Sequence, residues 1–304
     1  MIERLQCPIC RQAAAPVFAR PYSHAALQAI VSRAGLGAKL DGKAYEIRRC
    51  PACDLWFQTW VMEDAELECW YSPPRDRASF MEEIGRQRLH WFAHLTEEIL
   101  VMRQLVAEPV PVVLDFGCNW GKWASMALAH GCEVFAVDVN RDAAAFCASR
   151  GIRMLGYDEL PGLRFDFVNV DQVAEHLGDP LNVVRHLAAC VKPGGFLKLA
   201  TPGNARLPRQ LGDAQARRDD SVLDAATLDS LLPLEHVNLF TGRSLVALAR
   251  AAGLEPALLP FGKWLGAGQL WNLPRQLNRN LVVPFKRAFG TGIYRWFQKP
   301  ATLG

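Results

Sequence analysis

The stretch VVLDFGCNWGKWASMALAHG, residues 112–131, decides the fold of this 304-residue chain. An apolar run leads to Asp115, a turn follows with glycine at 117 and 121, and apolar residues then recur at helical spacing. This order predicts a buried strand, a tight turn and a helix. Asn119 stands inside the turn, and asparagine tolerates the left-handed backbone region better than most residues. The stretch therefore predicts the first, ligand-binding unit of an α/β sheet.

Strands and helices alternate along the rest of the chain. Continuous apolar strands separated by helices are typical of parallel sheets covered on both faces. The predicted strands span 110–116, 132–139, 153–155, 165–170, 195–201 and 254–260, and the helices between them span 122–129, 141–150, 181–190 and 242–252. We therefore predict a Rossmann-like, doubly wound, mainly parallel α/β sheet of seven strands. The seventh strand is expected within residues 266–272.

Two Cys-Pro-x-Cys pairs lie near the N-terminus, Cys7 with Cys10 and Cys50 with Cys53. Each pair places two thiolates on one side of a tight loop, and two pairs complete a tetrahedral Zn²⁺ site. The alternative is a redox pair, which would not need a second copy. Four thiolates leave no open coordination position, so the sequence predicts a structural zinc in a small zinc-ribbon-like module. The 39 residues between the pairs leave room for an inserted helix near residues 25–33.

Charge and composition suggest how the remaining segments are used. The expected domains are the zinc-binding module (1–60), a helical linker or cap (61–108, with a helix over 79–106), a cofactor-binding domain (109–262) and a basic aromatic extension (263–304). After Glu255 the chain carries seven basic and no acidic residues, which leaves the preceding part at −4. This tail is expected to pack on the sheet, or else to contact anionic lipid or a lipid-linked substrate. Nucleic acid is the least favoured partner.

The N-terminal sequence and the hydropathy bear on localisation. The N-terminal residues MIERLQCPIC have acidic Glu3 beside Arg4 and contain no apolar segment of the kind that a signal peptide carries. No apolar run approaches the length that spans a bilayer. We expect a cytoplasmic protein that could attach to the inner face of the membrane through its tail.

The turn and the second strand indicate the kind of ligand. Asp138 ends the second strand, 21 residues after Gly117, where a carboxylate can accept both ribose hydroxyls of a nucleoside. A dinucleotide fingerprint has the pattern G-x-G-x-x-G and holds a pyrophosphate at the helix N-terminus. Here the turn reads Gly-Cys-Asn-Trp-Gly, and Asp115 matches a cation better than an anion. A nucleoside with a cationic centre is S-adenosylmethionine.

Four motifs together resemble class I S-adenosylmethionine-dependent methyltransferases over residues 110–259. They are VLDFGCNWG (113–121), VFAVDVN (134–140), DQVAEHLGDP (171–180) and VKPGGFLKLATPGN (191–204). The resemblance implies that the turn lines the methionine end of the cofactor, that Asp138 holds the ribose, that Tyr157 and Asp158 flank the adenine, and that Asp171 and Gln172 face the sulfonium. The implied turn residues are Asp115, Gly117, Asn119 and Gly121.

The turn is also similar to the Gly-x-Asn-Asp-Gly turn of zinc-containing sugar C-methyltransferases. Those enzymes begin with paired cysteine knuckles and carry a Glu-His pair followed by an aromatic residue, matched here by Glu235, His236 and Phe240. Trp120 replaces the acidic residue of their turn, and this chain has no room for their large C-terminal domain. The HVNLFT segment resembles methyltransferases of glycan and lipid biosynthesis, which often methylate oxygen. The resemblance implies a glycan or other small-molecule acceptor, with O-methylation slightly preferred over C-methylation.

Two histidines are candidate general bases, because imidazole titrates near neutral pH. They are His236 and His176, and Glu235 could orient His236 or accept the proton itself. The structural alternatives are a helix-capping His236, a His176 that bonds to main chain, and tryptophans 120 and 123 that pack between helix and sheet. An RNA methyltransferase that reads its substrate with the zinc module, and a non-catalytic scaffold, remain as alternative functions. The first 60 residues lack a dense basic stripe, and Asp138 with two Glu-His pairs disfavours a scaffold.

Overall fold

The computed structural model describes residues 1–32, 36–63, 66–67, 70, 77–86, 89–224, 226–257 and 293–300. Within these residues the strands are β1 (Ile2–Glu3), β2 (Pro16–Pro21), β3 (Ala44–Arg49), β4 (Trp56–Gln58), β5 (Trp60–Val61), β6 (Val112–Phe116), β7 (Glu133–Val137), β8 (Arg153–Met154), β9 (Phe165–Asp171), β10 (Val191–Thr201), β11 (Asn238–Leu239), β12 (Glu255–Pro256) and β13 (Ile293–Gln298). The α-helices are α1 (Ala25–Val31), α2 (Arg77–Arg86), α3 (Leu89–Leu105), α4 (Lys122–Ala129), α5 (Arg141–Ser149), α6 (Pro180–Cys190), α7 (Leu207–Arg217) and α8 (Gly242–Ala251).

The central sheet has seven strands in the order β12-β13-β10-β9-β6-β7-β8. The five strands from β10 to β8 run parallel, and β13 lies antiparallel between β10 and β12. Every residue of β9 before the last is buried, as expected of a strand covered on both faces. The predicted α/β fold and its seven-stranded, mainly parallel sheet are confirmed.

The strand that lies beside β10 in the sheet is not the one that was predicted. The strand beside β10 is Ile293–Gln298, which belongs to the segment predicted as a C-terminal extension, and not a strand within 266–272. Trp296 and Phe297 point to opposite faces of the sheet and both are buried, which explains why this segment takes the position. Residues 266–272 themselves lie outside the described residues, as does most of the predicted extension.

Local signals set the ends of the helices. The side chain of Asn140 accepts a hydrogen bond from Ala143 N at the start of α5, and Asp179 does the same for α6. Thr241 and Ser244 form a capping box at the start of α8. Most predicted helices match within about two residues. The helix predicted over 79–106 corresponds to α2 and α3, which lie on either side of residues 87–88, outside the described residues. In the part of the chain that the structure describes, no helix has the length and apolarity needed to cross a membrane.

The N-terminal module is built into the rest of the molecule. Its four-stranded sheet has the order β11-β4-β3-β2, so its edge strand, Asn238–Leu239, comes from the C-terminal half of the chain. The inserted helix is present as α1, and its buried residues Leu27 and Val31 share an apolar cluster with Leu207 and Leu211 of α7. A segment following the central strands thus completes the module predicted from residues 1–60.

A lysine is buried among the apolar residues of β10. Lys198 is 0% exposed, and its Nζ donates to Glu98 Oε2 of α3 at 2.6 Å and to Asp171 Oδ2 at the end of β9 at 2.8 Å. A second ion pair joins the same two strands at their opposite end, where the half-exposed Lys192 donates to Asp166 at 2.8 Å. Two ion pairs of different burial therefore connect β9 and β10.

We expect Lys198→Met to lower the free energy of unfolding by about 3–5 kcal/mol, because two carboxylates lose a buried partner. Lys192→Met is the matched control and should cost about 1 kcal/mol, since its side chain is only partly withdrawn from water. Urea unfolding of both variants measures the difference. Equal decreases in the free energy of unfolding would show that burial of the Lys198 ion pairs adds nothing to stability.

Candidate active site

The glycine turn after β6 has an unusual backbone. Gly117, Asn119 and Gly121 all lie in the left-handed region, with φ of 75°, 48° and 69°. Gly121 is the N-cap residue of α4. The conformation predicted for Asn119 is confirmed. Alternating left-handed residues turn the chain sharply between strand and helix at the carboxyl end of β6.

Two of these positions have no room for a side chain. A Cβ atom on Gly117 would lie 2.4 Å from Val173 Cγ2, and one on Gly121 would lie 2.7 Å from Cys147 Sγ. The turn therefore packs directly against the segment after β9 and against α5. Glycine is required here by both backbone conformation and close approach.

The buried carboxylate of Asp115 supports this turn through hydrogen bonds. Its carboxylate accepts from Asn169 Nδ2 at 2.8 Å and from Ala124 N, in the first turn of α4, at 3.1 Å. The residue is buried, and burial raises the pKa of Asp115 to about 7. Because both oxygens bond within the protein, Asp115 braces the turn and joins β6 to β9.

Asp138 follows β7 and closes the other side of the turn. Its Oδ2 accepts from Asn119 N at 2.6 Å and its Oδ1 from Asn140 N at 2.8 Å. The side chain is half-buried, and a carboxylate has lone pairs beyond these two bonds. Asp138 thus fixes the turn and remains accessible at the carboxyl end of the sheet.

The remaining predicted cofactor residues lie at the same end of the sheet. Tyr157 stacks on His186 with ring centroids 4.6 Å apart, and Asp158 beside it is exposed. Asp171 is the last residue of β9, and Gln172 follows it with a left-handed φ of 55°. Left-handed non-glycine residues of this kind concentrate at functional sites.

The two candidate histidines lie against each other. The ring centroids of His176 and His236 are 4.7 Å apart in an edge-to-face arrangement. His176 Nδ1 lies 2.9 Å from the carbonyl oxygen of Glu235, and His236 Nδ1 bonds to that of Asp229. A carbonyl oxygen only accepts, so Nδ1 carries the hydrogen of each neutral ring and Nε2 carries the lone pair. Main-chain carbonyls, one of them belonging to Glu235, orient the pair.

Glu175 is a buried acid beside the histidines. It is 1% exposed, and neither carboxyl oxygen has a hydrogen-bond partner among the described residues. Its Oε1 lies 4.0 Å from His176 Nε2, and burial raises the pKa of Glu175 to about 8. One ligand atom each from Glu175, His176 and His236 fall within 4.8 Å of one another, a spacing that could also hold a metal ion.

The N-terminal module holds the main chain around both histidines. Gln58 Nε2 donates to the carbonyl of His236 at 2.9 Å, and Gln58 Oε1 accepts from the left-handed Leu234 at 2.9 Å. The buried Arg4 donates to the carbonyls of Val237 and Gly178 at 2.8 and 3.0 Å.

Asn238 completes this clamp, which we define as Arg4, Gln58 and Asn238. Its side-chain oxygen accepts from Arg4 at 3.0 Å, and its amide donates to the carbonyl of Leu177 at 2.7 Å, next to His176. The clamp therefore joins the segments that carry the two histidines, and the module forms a wall of the site.

The four predicted zinc ligands form a separate cluster in the module. Cys7 Sγ lies 3.5 Å from Cys53 Sγ, and Cys10 Sγ lies 3.4 Å from Cys50 Sγ. All four sulfurs fall within 4.8 Å of one another. Each knuckle ends in a left-handed residue, Arg11 in one and Asp54 in the other, whose N–H bonds back to the first cysteine's carbonyl. The two loops share one backbone geometry.

Comparison with known proteins identifies the family. The sequence profile of the methyltransferase domain matches residues 86–259, more than half of the chain. The chain belongs to the methyltransferase-domain family. The prediction of an S-adenosylmethionine-dependent methyltransferase is thereby confirmed.

Relatives of this methyltransferase carry names that specify oxygen as the acceptor. The ubiquinone biosynthesis O-methyltransferase of Bordetella avium (strain 197N) is 25% identical over 232 residues, covering 72% of this chain and 88% of the relative. That of Ralstonia nicotianae is 29% identical over 207 residues, covering 64% and 80%. The plantazolicin methyltransferase BpumL shares the fold with a TM-score of 0.52 and 14% identity, covering 77% of this methyltransferase and 93% of BpumL.

The structure brings most of the predicted site residues of the methyltransferase to two neighbouring places. The turn, Asp138 and Asp171 share the carboxyl end of the sheet. His176, from the segment after β9, meets His236, which lies just before β11. Trp123 is buried and stacks on Phe167 of β9, which is packing between helix and sheet. Trp120 is buried as well, but it stacks on Phe80 of α2 and meets Phe146 of α5. Sequence reasoning missed Glu175, Lys198 and the clamp, although a lysine inside the apolar run LKLAT was a visible signal for Lys198.

We expect Glu175→Gln to flatten the dependence of stability on pH. The folded chain holds the Glu175 proton up to about pH 8, whereas the unfolded chain releases it near 4.5, so unfolding becomes easier as pH rises between these values. Glutamine mimics the protonated acid, so the variant should match the parent near pH 4.5 and exceed it by about 2–4 kcal/mol at pH 8. Urea unfolding at both pH values measures this, with the exposed Glu108→Gln as control. A parallel shift at both pH values would contradict the assignment.

Proposed function

We propose that this methyltransferase binds S-adenosylmethionine at the carboxyl end of β6, β7 and β9. The turn residues Gly117, Asn119 and Gly121 would lie against the methionine part, braced by Asp115. Asp138 would accept the ribose hydroxyls, Asp158 with Tyr157 would flank the adenine, and Asp171 with Gln172 would face the sulfonium. Two observations support the fit: the turn excludes side chains at Gly117 and Gly121, and Asp138 is fixed beside it with lone pairs free.

The acceptor, in this proposal, is a small molecule that carries a hydroxyl group. When bound, the cofactor supplies an electrophilic methyl group, and the protein aligns the acceptor and removes its proton. The names of the curated relatives favour an oxygen acceptor. The motif resemblance favours a sugar, so glycan and phenolic hydroxyls are the two classes to compare. A lipid-linked acceptor would engage the basic residues of 263–292, outside the described residues, and bring the protein to the membrane.

The proposed base belongs to the histidine pair. Both rings keep Nε2 free of hydrogen, because Nδ1 donates to a carbonyl, and an unprotonated Nε2 can accept the acceptor's proton. His236 is the first candidate because its segment is held directly by Gln58. His176 would take the proton second or orient the acceptor. Glu235 would contribute through its carbonyl on His176.

The test is methyl transfer with matched histidine variants. We expect His236→Ala to lower kcat by about 10²–10⁴-fold while the Kd for S-adenosylmethionine stays unchanged, since a base acts on the acceptor. His130→Ala, distant in sequence and at the end of α4, is the control. Activity of the variant should recover as pH rises and the acceptor ionises without help.

The assay uses a catechol, a phenol, a monosaccharide and a nucleotide sugar as acceptors. Unchanged turnover in both His236→Ala and His176→Ala would refute the base assignment. Turnover that depends on an added divalent cation would instead assign the pair, with Glu175, to a metal. Absence of S-adenosylmethionine binding to the parent protein would refute the proposed site.

We also propose that Cys7, Cys10, Cys50 and Cys53 hold one structural Zn²⁺. Tetrahedral zinc–thiolate coordination at about 2.3 Å places sulfurs about 3.8 Å apart. The observed separations of 3.4 and 3.5 Å are close to this value. Four thiolate donors suit zinc and leave no position for substrate.

Metal analysis of the purified protein should give about one zinc per chain, and none in Cys10→Ser or Cys53→Ser. The buried Cys132→Ser, far from the cluster in the fold, should retain the metal. Because Arg4 lies three residues before Cys7, loss of zinc should also disturb the clamp and reduce turnover. A metal-free protein with the full melting temperature and activity of the parent would overturn this proposal.

A further inference from the structure

Lys198, Glu98 and Asp171 form a buried ionic triad that reaches the edge of the proposed cofactor site. Lys198 Nζ donates to Glu98 at 2.6 Å and to Asp171 at 2.8 Å. The side chains of Lys198 and Glu98 are 0% and 7% exposed, whereas that of Asp171 is 36% exposed. Asp171 ends β9, and ligands of doubly wound sheets bind beyond such strand ends. One member of the triad thus connects the interior with the site.

The triad carries a net charge of −1. Burial alone would lower the pKa of Lys198, but Asp171 and Glu98 together raise it above its ordinary value, so the ammonium persists. Burial alone would raise the pKa of Glu98, but His94 and Lys198 together hold it below its ordinary value, so this carboxylate is ionised. Within the triad Glu98 therefore offsets the charge of Lys198, and one negative charge remains on the partly exposed Asp171. His94 lies 3.3 Å from the other oxygen of Glu98, away from Asp171.

The neighbouring acid, Asp115, does not supply this negative charge. Burial raises the pKa of Asp115 to about 7, and the charge of Asp171 contributes to that rise. Both oxygens of Asp115 also accept hydrogen bonds from the protein. Of these two acids, Asp171 therefore carries the negative charge below pH 7.

Methyl transfer changes the charge that Asp171 would face. The carbon–sulfur bond of the donor breaks, a carbon–oxygen bond to the acceptor forms, and the hydroxyl proton leaves with the base. The sulfonium, with charge +1, becomes a neutral thioether. A carboxylate beside the sulfur attracts the first form and not the second.

We propose that the triad makes the site selective for the cationic methyl donor over its neutral by-product, S-adenosylhomocysteine. This inference rests on the proposed function and deepens it. Asp171 supplies the charge, and Lys198 and Glu98 are positioning residues. Lys198 holds the carboxylate in place, and Glu98 prevents Lys198 from cancelling its charge. The triad then favours donor binding before transfer and by-product release after it.

The test compares the affinities for two ligands in each variant. Calorimetric titration at pH 6, where Asp115 is mostly protonated, gives the Kd for S-adenosylmethionine and for S-adenosylhomocysteine in the parent, Glu98→Gln and Asp171→Asn. Both substitutions keep side-chain shape and remove one negative charge. We expect the ratio of the by-product Kd to the donor Kd to fall by about fivefold or more in each. Sinefungin, which carries a protonated amine in place of the sulfonium methyl, should follow the donor.

Asp166→Asn is the matched control, because Asp166 pairs with Lys192 across the same two strands at the opposite end. Its ratio should stay within about twofold of the parent's. Equal weakening of both ligands in the two triad variants would reduce the triad to a structural role and overturn the proposal. If Asp171→Asn fails to fold, Glu98→Gln decides alone. A parent protein that binds neither ligand would refute the proposed function itself, whereas one that binds both equally would refute only this inference.

Discussion

The hydrogen bond between Asn169 and Asp115 is the constraint on which the site depends. It joins β9 to β6 at the centre of the sheet, and the same carboxylate accepts from the first turn of α4. Strand, turn and helix are thereby fixed together, and the left-handed residues between them have no freedom to relax. Because the bond is buried, losing either partner would leave the other polar group unsatisfied. The backbone shape of the turn is thus fixed by the core.

The N-terminal module contacts the segments that carry the two histidines. Arg4 and Gln58 bond to main-chain carbonyls beside the histidines, and Asn238 links those bonds to the segment after β9. The cysteine cluster begins three residues after Arg4. A metal in that cluster would therefore stabilise the wall of the active site as well as the module.

The sequence allowed the regular parts of the molecule to be predicted, because each had a local signal. Continuous apolar runs marked the parallel strands, apolar residues at helical spacing marked the helices, and paired cysteines marked the four-cysteine cluster. Ile293–Gln298 was missed, because an antiparallel strand returning from a distant segment depends on tertiary pairing with β10. Glu175 was missed as well, because its importance comes from burial beside the histidine pair. Lys198 had a local signal, but its partner Glu98 lies 100 residues away.

The central claim is that the carboxylate after β7 and the turn fixed by Asp115 hold the nucleoside and sulfur of the methyl donor. The most direct measurement is a crystal structure of the complex with S-adenosylhomocysteine. The account predicts both ribose hydroxyls on Asp138, the sulfur between the turn and Asp171, and the glycine turn unchanged. A ligand bound elsewhere, or a crevice filled by protein side chains, would contradict it.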